Sequence, residues 1–127
     1  MGRILIVDDE VRIRKLLAMA CELEGHESVE AYDAASGVAA YVRKRPDLLI
    51  LDLKMRGGGG AEVVKQIRFA EGAVKARLLV VSGHLDGLQE GERLALGADD
   101  YVDKPFKIAD IRRRIRALLL PPVDPAE

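Results

Sequence analysis

Cysteine is almost missing from this 127-residue chain. The single one, Cys21, excludes an internal disulfide and suits a reducing compartment; its place on the apolar side of a helical stretch reads as core. An excess of charge is missing too. Twenty Lys and Arg stand against 21 Asp and Glu, so no net field favours broad binding to nucleic acid or a membrane surface. No apolar stretch reaches the ~20 residues that a membrane span needs, and no charged n-region with an apolar h-region opens the sequence. Internal repeats are lacking. The glycine run Gly57–Gly60 has neither the G-x-x-x-x-G-K-[ST] spacing of a phosphate-cradling loop nor a strand immediately before it. The expectation is a cytoplasmic protein with no membrane segment and no direct nucleic-acid partner. At 49% hydrophobic and 32% charged, the composition is that of an ordinary globular domain. Residues 1–120 are expected to form that domain, burying roughly two-thirds of their unfolded surface. Residues 121–127, with three prolines, read as a linker-like tail.

Strand-like and helix-like segments alternate five times. Arg3–Val7 is short and apolar, which predicts a buried strand. Val11–Glu24 carries Ile13, Leu16, Leu17 and Ala20 at helical spacing and stops at Gly25. Ser28–Tyr32 alternates and suits a half-exposed edge strand. Ala34–Lys44 is helical until Pro46 ends it. Leu48–Leu51 and Leu78–Val81 read as further buried strands, with a helix bearing Val63, Val64 and Ile67 between them. A weaker helix over Gly87–Leu96, a short edge strand Asp100–Asp103 and a strongly amphipathic helix Lys107–Leu119 complete the pattern. Strict alternation with apolar central strands implies an α/β fold, a doubly wound parallel sheet with right-handed crossovers.

Several strands deliver polar groups at their carboxyl ends, where open α/β sheets bind ligands. Asp8 and Asp9 follow Val7, Asp52 follows Leu51, Ser82 follows Val81, and Lys104 follows Asp103. Crowding three acids is unfavourable: at ~5 Å and an effective dielectric of ~20, each like-charge pair costs roughly 3 kcal/mol. A hard divalent cation, which prefers carboxylate oxygens, would relieve it. Carboxylates, a metal site, a hydroxyl and an ammonium together are the parts of a phosphoryl-transfer site. Asp52 is assigned as the nucleophile that carries an acyl phosphate. Asp9 would bind the metal directly, Asp8 directly or through water, and the metal would bridge Asp52 to the phosphoryl group. Ser82 and Lys104 would each meet a phosphoryl oxygen.

These residues, in this order, resemble the receiver domain of two-component response regulators. The likeness rests on Val7-Asp8-Asp9-Glu10, Leu51-Asp52-Leu53-Lys54-Met55, Val81-Ser82-Gly83, and Gly97-Ala98-Asp99-Asp100-Tyr101 followed by Lys104-Pro105-Phe106, and covers residues 3 to about 119. It implies a flavodoxin-like five-stranded sheet in the order 2-1-3-4-5 with five helices, and a receiver over residues 1–120. It implies phosphoryl transfer from a histidine kinase or phosphotransfer protein to Asp52 with Mg²⁺ or Mn²⁺, and output to an effector domain or protein. Such a module is no metabolic enzyme, since it catalyses only its own phosphorylation and dephosphorylation. The resemblance further implies that the Lys54 carbonyl completes the metal set, that Tyr101 switches with Ser82, and that the Lys104-Pro105 peptide is cis. Positions Lys54 and His84 would govern water access to the acyl phosphate. The chain departs from the family pattern at Arg56 and Gly59, where proline and an Asp or Asn are usual. The Gly57–Gly60 loop is therefore expected to weaken metal binding.

Other readings compete. A degenerate receiver would be a phosphorylation-independent interaction domain. An aspartyl-phosphate phosphatase of the haloacid-dehalogenase type would need Asp-x-Asp, which Asp52-Leu53-Lys54 does not supply. A flavin or nucleotide binder would not place Asp8-Asp9-Glu10 against a phosphate. His26 reads as surface, and Arg112-Arg113-Arg114 with Arg116 as a solvated helix face or a partner-docking surface. The face of the fourth helix, last strand and last helix is expected to carry the output, with a monomer or at most a weak phosphorylation-dependent homodimer.

Overall fold

The computed structural model describes residues 2–55, 59–71, 76–83 and 85–120. Their backbone alternates as β1 (Arg3–Val7), α1 (Val11–Leu23), β2 (Glu27–Ala31), α2 (Ala34–Lys44), β3 (Leu48–Leu51), α3 (Gly60–Glu71), β4 (Arg77–Ser82), α4 (Glu90–Leu96), β5 (Asp100–Asp103) and α5 (Ile108–Leu118). All five strands are parallel, in the order β2-β1-β3-β4-β5. This is the predicted flavodoxin-like sheet with its five helices. No helix among the described residues is long and apolar enough to cross a membrane.

The alternation of side chains along each strand divides the core in two. Leu5, Val7, Leu49, Leu51, Leu78 and Val80 face α2, α3 and α4, where Tyr41, Val63, Ile67 and Leu96 cover them. Ile4, Ile6, Leu48, Ile50, Leu79 and Val81 face α1 and α5, covered by Leu17, Ala20, Cys21, Ile111 and Ile115. Cys21 lies in this second layer, fully buried, and burial pushes its thiol up to about 12. Because β1, β3 and β4 serve both layers, they read as continuous apolar runs.

The structure differs from the predicted boundaries in a few places. β2 lies one residue earlier than Ser28–Tyr32, and β4 extends to Arg77 and Ser82. The helix expected over Gly87–Leu96 is shorter. A 3-10 turn spans Leu85–Gly87, and α4 starts only at Glu90. Gln89 is its cap: the Gln89 backbone N–H donates to the Glu92 carboxylate at 3.1 Å, in a reciprocal capping box that fixes the start. α4 ends at Gly97, whose φ of +62 is the left-handed conformation that glycine adopts without strain. Arg56, Gly57 and Gly58 of the glycine loop lie outside the described residues, as do His84 and the tail 121–127.

Candidate functional site

Val7 pairs with Leu51 across β1 and β3, so Asp8 and Asp52 leave the sheet side by side. Both stay buried, at 1% and 6% exposure. β5 returns beside β4 with Ser82 opposite Asp103, and the Lys104 N–H donates to the Ser82 carbonyl at 3.0 Å. The Lys104-Pro105 peptide is cis. The Lys104 ammonium donates to Asp8 Oδ2 at 2.8 Å and to Asp52 Oδ2 at 3.0 Å. The remaining oxygens are also engaged. Asp8 Oδ1 accepts from the Glu10 N–H at 2.9 Å, and Asp52 Oδ1 from the Lys54 N–H at 3.2 Å. Asp9 is half-buried, and one carboxylate oxygen each from Asp8, Asp9 and Asp52 lies within 4.8 Å of the others.

Burial raises the Asp8 pKa, against the pull of the Lys104 hydrogen bond and the Glu10 N–H; the neighbouring Asp52 charge adds to the rise. Burial also works against the Lys104 ammonium, but the hydrogen bonds and charges of Asp8 and Asp52 outweigh it and hold the pKa above its ordinary value. Ser82 is fully buried, and its Oγ has no hydrogen-bond partner among the described residues. Buried hydroxyls are nearly always satisfied, so an orphan at a strand end beside such a group of charges marks Ser82 as a candidate site residue. The ligand atoms on offer are all oxygens, a set that suits a hard divalent cation. The three acids therefore fit a resident metal on the grounds of donor chemistry and spacing.

The family model for the response regulator receiver domain matches residues 4–116. The chain belongs to that family. This receiver is 33% identical to the sporulation initiation phosphotransferase F of Bacillus subtilis, over 92% of its own length and 93% of that protein. It is 34% identical to the phosphate regulon transcriptional regulatory protein PhoB of Pseudomonas aeruginosa, over 91% of the chain but 51% of that regulator. The chain thus spans about half the length of several regulators that it matches. Among solved structures, the response regulator TrrA of Thermotoga maritima in complex with Mg²⁺ and BeF superposes with a TM-score of 0.81 at 32% identity, covering 94% of the receiver and all of that chain. The chemotaxis protein CheY4 of Vibrio cholerae gives a TM-score of 0.86 at 26% identity, over 94% and 99%.

Of the residues singled out in the sequence, the receiver brings Asp8, Asp9, Asp52 and Lys104 together and sets Ser82 at the adjoining strand end. Lys54 contributes its N–H to Asp52 while its side chain is exposed. Tyr101 is half-buried between β5 and α4. Its hydroxyl donates to the Arg93 carbonyl at 2.9 Å, and the Arg93 guanidinium lies 5.0 Å from its ring centroid. Two expectations need correction. His26 is not simply surface, because its Nδ1 accepts the Gly2 N–H at 2.8 Å and ties the chain start to the turn before β2. The arginine run is not a free solvated face either. Arg112 and Arg116 both donate to Glu24 at the end of α1, and Arg114 reaches Asp100 at 2.6 Å while Arg113 pairs with Asp110. Helical phase showed which side of α5 the arginines take, but acids meet them there, Glu24 and Asp100 from other elements and Asp110 from α5 itself.

Gly60 is a site residue whose role the sequence did not disclose. A Cβ there would fall 2.5 Å from the Asp52 carbonyl oxygen and 2.8 Å from Leu53 Cα, so α3 can pass beneath the site only without a side chain. The Gly60 N–H donates to the Leu53 carbonyl at 2.9 Å across this contact. The sequence signal is the glycine that opens the helix after the Asp52 loop, but a glycine there also reads as a simple helix start.

Proposed function

We propose that this receiver accepts a phosphoryl group on Asp52 from a histidine kinase or phosphotransfer protein and switches a partner-binding face in response. The carrying observation is the Lys104 ammonium shared between two buried carboxylates, beside a buried Ser82 hydroxyl that lacks a partner. An Asp52 oxygen attacks phosphorus, the phosphorus–nitrogen bond of the donor phosphohistidine breaks, and the freed imidazole nitrogen takes up a proton. The product is an acyl phosphate, which water later returns to carboxylate and inorganic phosphate. Lys104 donates to a phosphoryl oxygen in place of its present bond to Asp52, and Ser82 donates to another. Asp8, Asp9, Asp52 and the Lys54 carbonyl would hold Mg²⁺ or Mn²⁺, which when bound neutralises charge on the transferred group. The Mg²⁺ and BeF complex of the Thermotoga relative supports this reading.

Output runs through α4, β5 and α5. Ser82 precedes the segment that leads into α4, and Tyr101 holds the Arg93 carbonyl, so a change at Ser82 can bias both. Coupling of this kind is typically worth about 1–3 kcal/mol, a 5- to 150-fold change in partner affinity. The partner is an effector domain or a separate effector protein, and the module turns over no other substrate. Incubation with acetyl phosphate and Mg²⁺, read by intact mass, should add one phosphoryl group, and Asp52→Asn should take up none. Full labelling of Asp52→Asn would overturn the assignment. No labelling of the wild type would leave the phosphorylation-independent interaction domain.

A further inference from the structure

The acidic turn is held from outside the site by a charge pair that none of the motifs above includes. β1 ends at Val7, and beyond it the sheet ladder no longer serves the Asp8 carbonyl. Arg14, on the first turns of α1, reaches back to that oxygen: Nη1 donates to it at 2.7 Å. Its Nε donates to Glu30 on β2 at 3.3 Å, and Lys15 reaches the other Glu30 oxygen at 3.1 Å. The Arg14 side chain is only 15% exposed, so this is a held arrangement rather than a surface encounter. Asp8 is therefore fixed at three points, through its N–H on the Ala31 carbonyl, its carboxylate on Lys104 and its carbonyl on Arg14. The carbonyl belongs to the peptide plane that leads into Asp9. Whatever fixes that plane fixes where the Asp9 carboxylate starts.

We infer that Arg14 is a positioning residue that sets the Asp8–Asp9 peptide for cation binding, and that Glu30, shared with the more exposed Lys15, offsets its charge so that it opposes the cation less. The inference rests on the metal reading of Asp8, Asp9 and Asp52. It follows from the opposed demands on the guanidinium. A neutral donor long enough to bridge α1, β2 and the turn is not available among the side chains, whereas a bare cation beside a divalent ion is repelled. Placing Glu30 on the edge strand meets both demands. Groups that orient a metal's ligands commonly matter 10- to 100-fold in affinity.

Two variants separate geometry from charge, with Mn²⁺ binding followed by electron paramagnetic resonance on the full chain. In Arg14→Met/Glu30→Gln the formal charge is unchanged but the donor is lost. Affinity should fall about tenfold at both low and high salt, and the Asp9 amide of the metal-free protein should exchange faster. In Glu30→Gln the Arg14 donor remains but is unneutralised. Affinity should fall at low salt and recover in about 0.5 M salt, where such charges are screened. Glu30→Gln is a mild change at a half-buried surface position, so it serves even if the double variant does not fold. Wild-type binding that Asp9→Ala abolishes establishes the metal reading. Given that, affinities of both variants within twofold of wild type at low salt would overturn the role of Arg14 and Glu30 and leave the metal site standing. Wild type without Mn²⁺ binding would remove the metal reading and this inference together.

Discussion

The two faces of the sheet are built to different tightness. On one, α1 and α5 lie over a layer in which Leu17, Ala20, Cys21, Ile111 and Ile115 are essentially inaccessible, and the two helices are clamped at their ends where Arg112 and Arg116 close on Glu24. On the other, a groove of about 800 Å³ opens between α3 and α4, floored by Leu53, Val64, Leu88 and Leu96. α4 has only seven residues and buries one side chain, Leu96, while Leu94 is 75% exposed. Its attachment relies on the Arg93 guanidinium bond to the Leu85 carbonyl, at 2.8 Å, and on Tyr101. Elements with little buried area are those that open at low free energy. In the proposed switch the α1–α5 face would hold the acidic turn still while the α4 side responds, which calls for both properties in one small domain.

Truncating one side chain on each face tests the contrast most strongly. Ile111→Ala removes a fully buried group from a closed layer and should cost about 3–5 kcal/mol in urea unfolding. Leu96→Ala removes a group at the wall of an existing groove and should fall near the low end for such changes, about 2 kcal/mol. Equal losses would mean that the α4 face is as well packed as the other. Gly60→Ala comes next, because it disturbs the seam between the looser face and the site. The added Cβ must push α3 away from the Asp52 carbonyl, an overpacking expected to cost about 1–3 kcal/mol. The same shift should weaken phosphorylation by acetyl phosphate. An unchanged melting temperature and labelling rate would show that α3 yields freely.

Much of this contrast was readable in the chain, and the unread part has a common cause. Apolar runs such as Leu48–Leu51 have one possible environment in a small α/β domain, so the parallel sheet and its core followed from pattern, whereas the strand order came from the resemblance to receivers. Asp8, Asp52, Ser82 and Lys104 were legible because each directly ends a strand, and the topology brings strand ends together. Positions that depend on a distant element stayed hidden. The arginines of α5 looked like a solvated stripe until Glu24 and Asp100 met them. Arg14 gave no sign that its head turns inward, and Gly60 read as a helix start rather than a point of close approach. The start of α4 was set too early, at Gly87, because the Gln89 and Glu92 pair that caps it at Glu90 was not read as a helix start.

The clamp on the tighter face carries a pH signature. Hydrogen bonds from Arg116 and Arg112 hold the Glu24 carboxyl at about 2, below its ordinary 4.5. A depressed carboxyl stabilises the fold fully above its unfolded pKa, and that contribution is lost as pH falls toward the folded value. The stability gap between wild type and Glu24→Gln should therefore be constant above about pH 5 and close progressively down to about pH 2. Asp8 has the opposite sign, since its raised pKa favours the folded state at low pH and loses that contribution as pH rises. Melting curves of wild type and Glu24→Gln across this range check the clamp. A gap independent of pH would mean that Glu24 packs against α5 without its charge mattering.

The smallest effect is expected at the looser face, from one hydroxyl. Tyr101→Phe keeps the ring, and with it the Arg93 cation 5.0 Å away, but deletes the 2.9 Å bond to the Arg93 carbonyl. A bond of this type contributes about 1 kcal/mol net, so global stability should change little. The local consequence should be larger in proportion. Arg93 is the residue whose carbonyl also accepts the Gly97 N–H at the end of α4, and its guanidinium holds Leu85. Freeing its carbonyl from Tyr101 should raise amide hydrogen exchange across Glu90–Leu96 severalfold while leaving α1 and α5 at wild-type protection. Equal acceleration on both faces would show that α4 opens only with the whole domain. That result would remove the distinction between a fixed face and a responsive one.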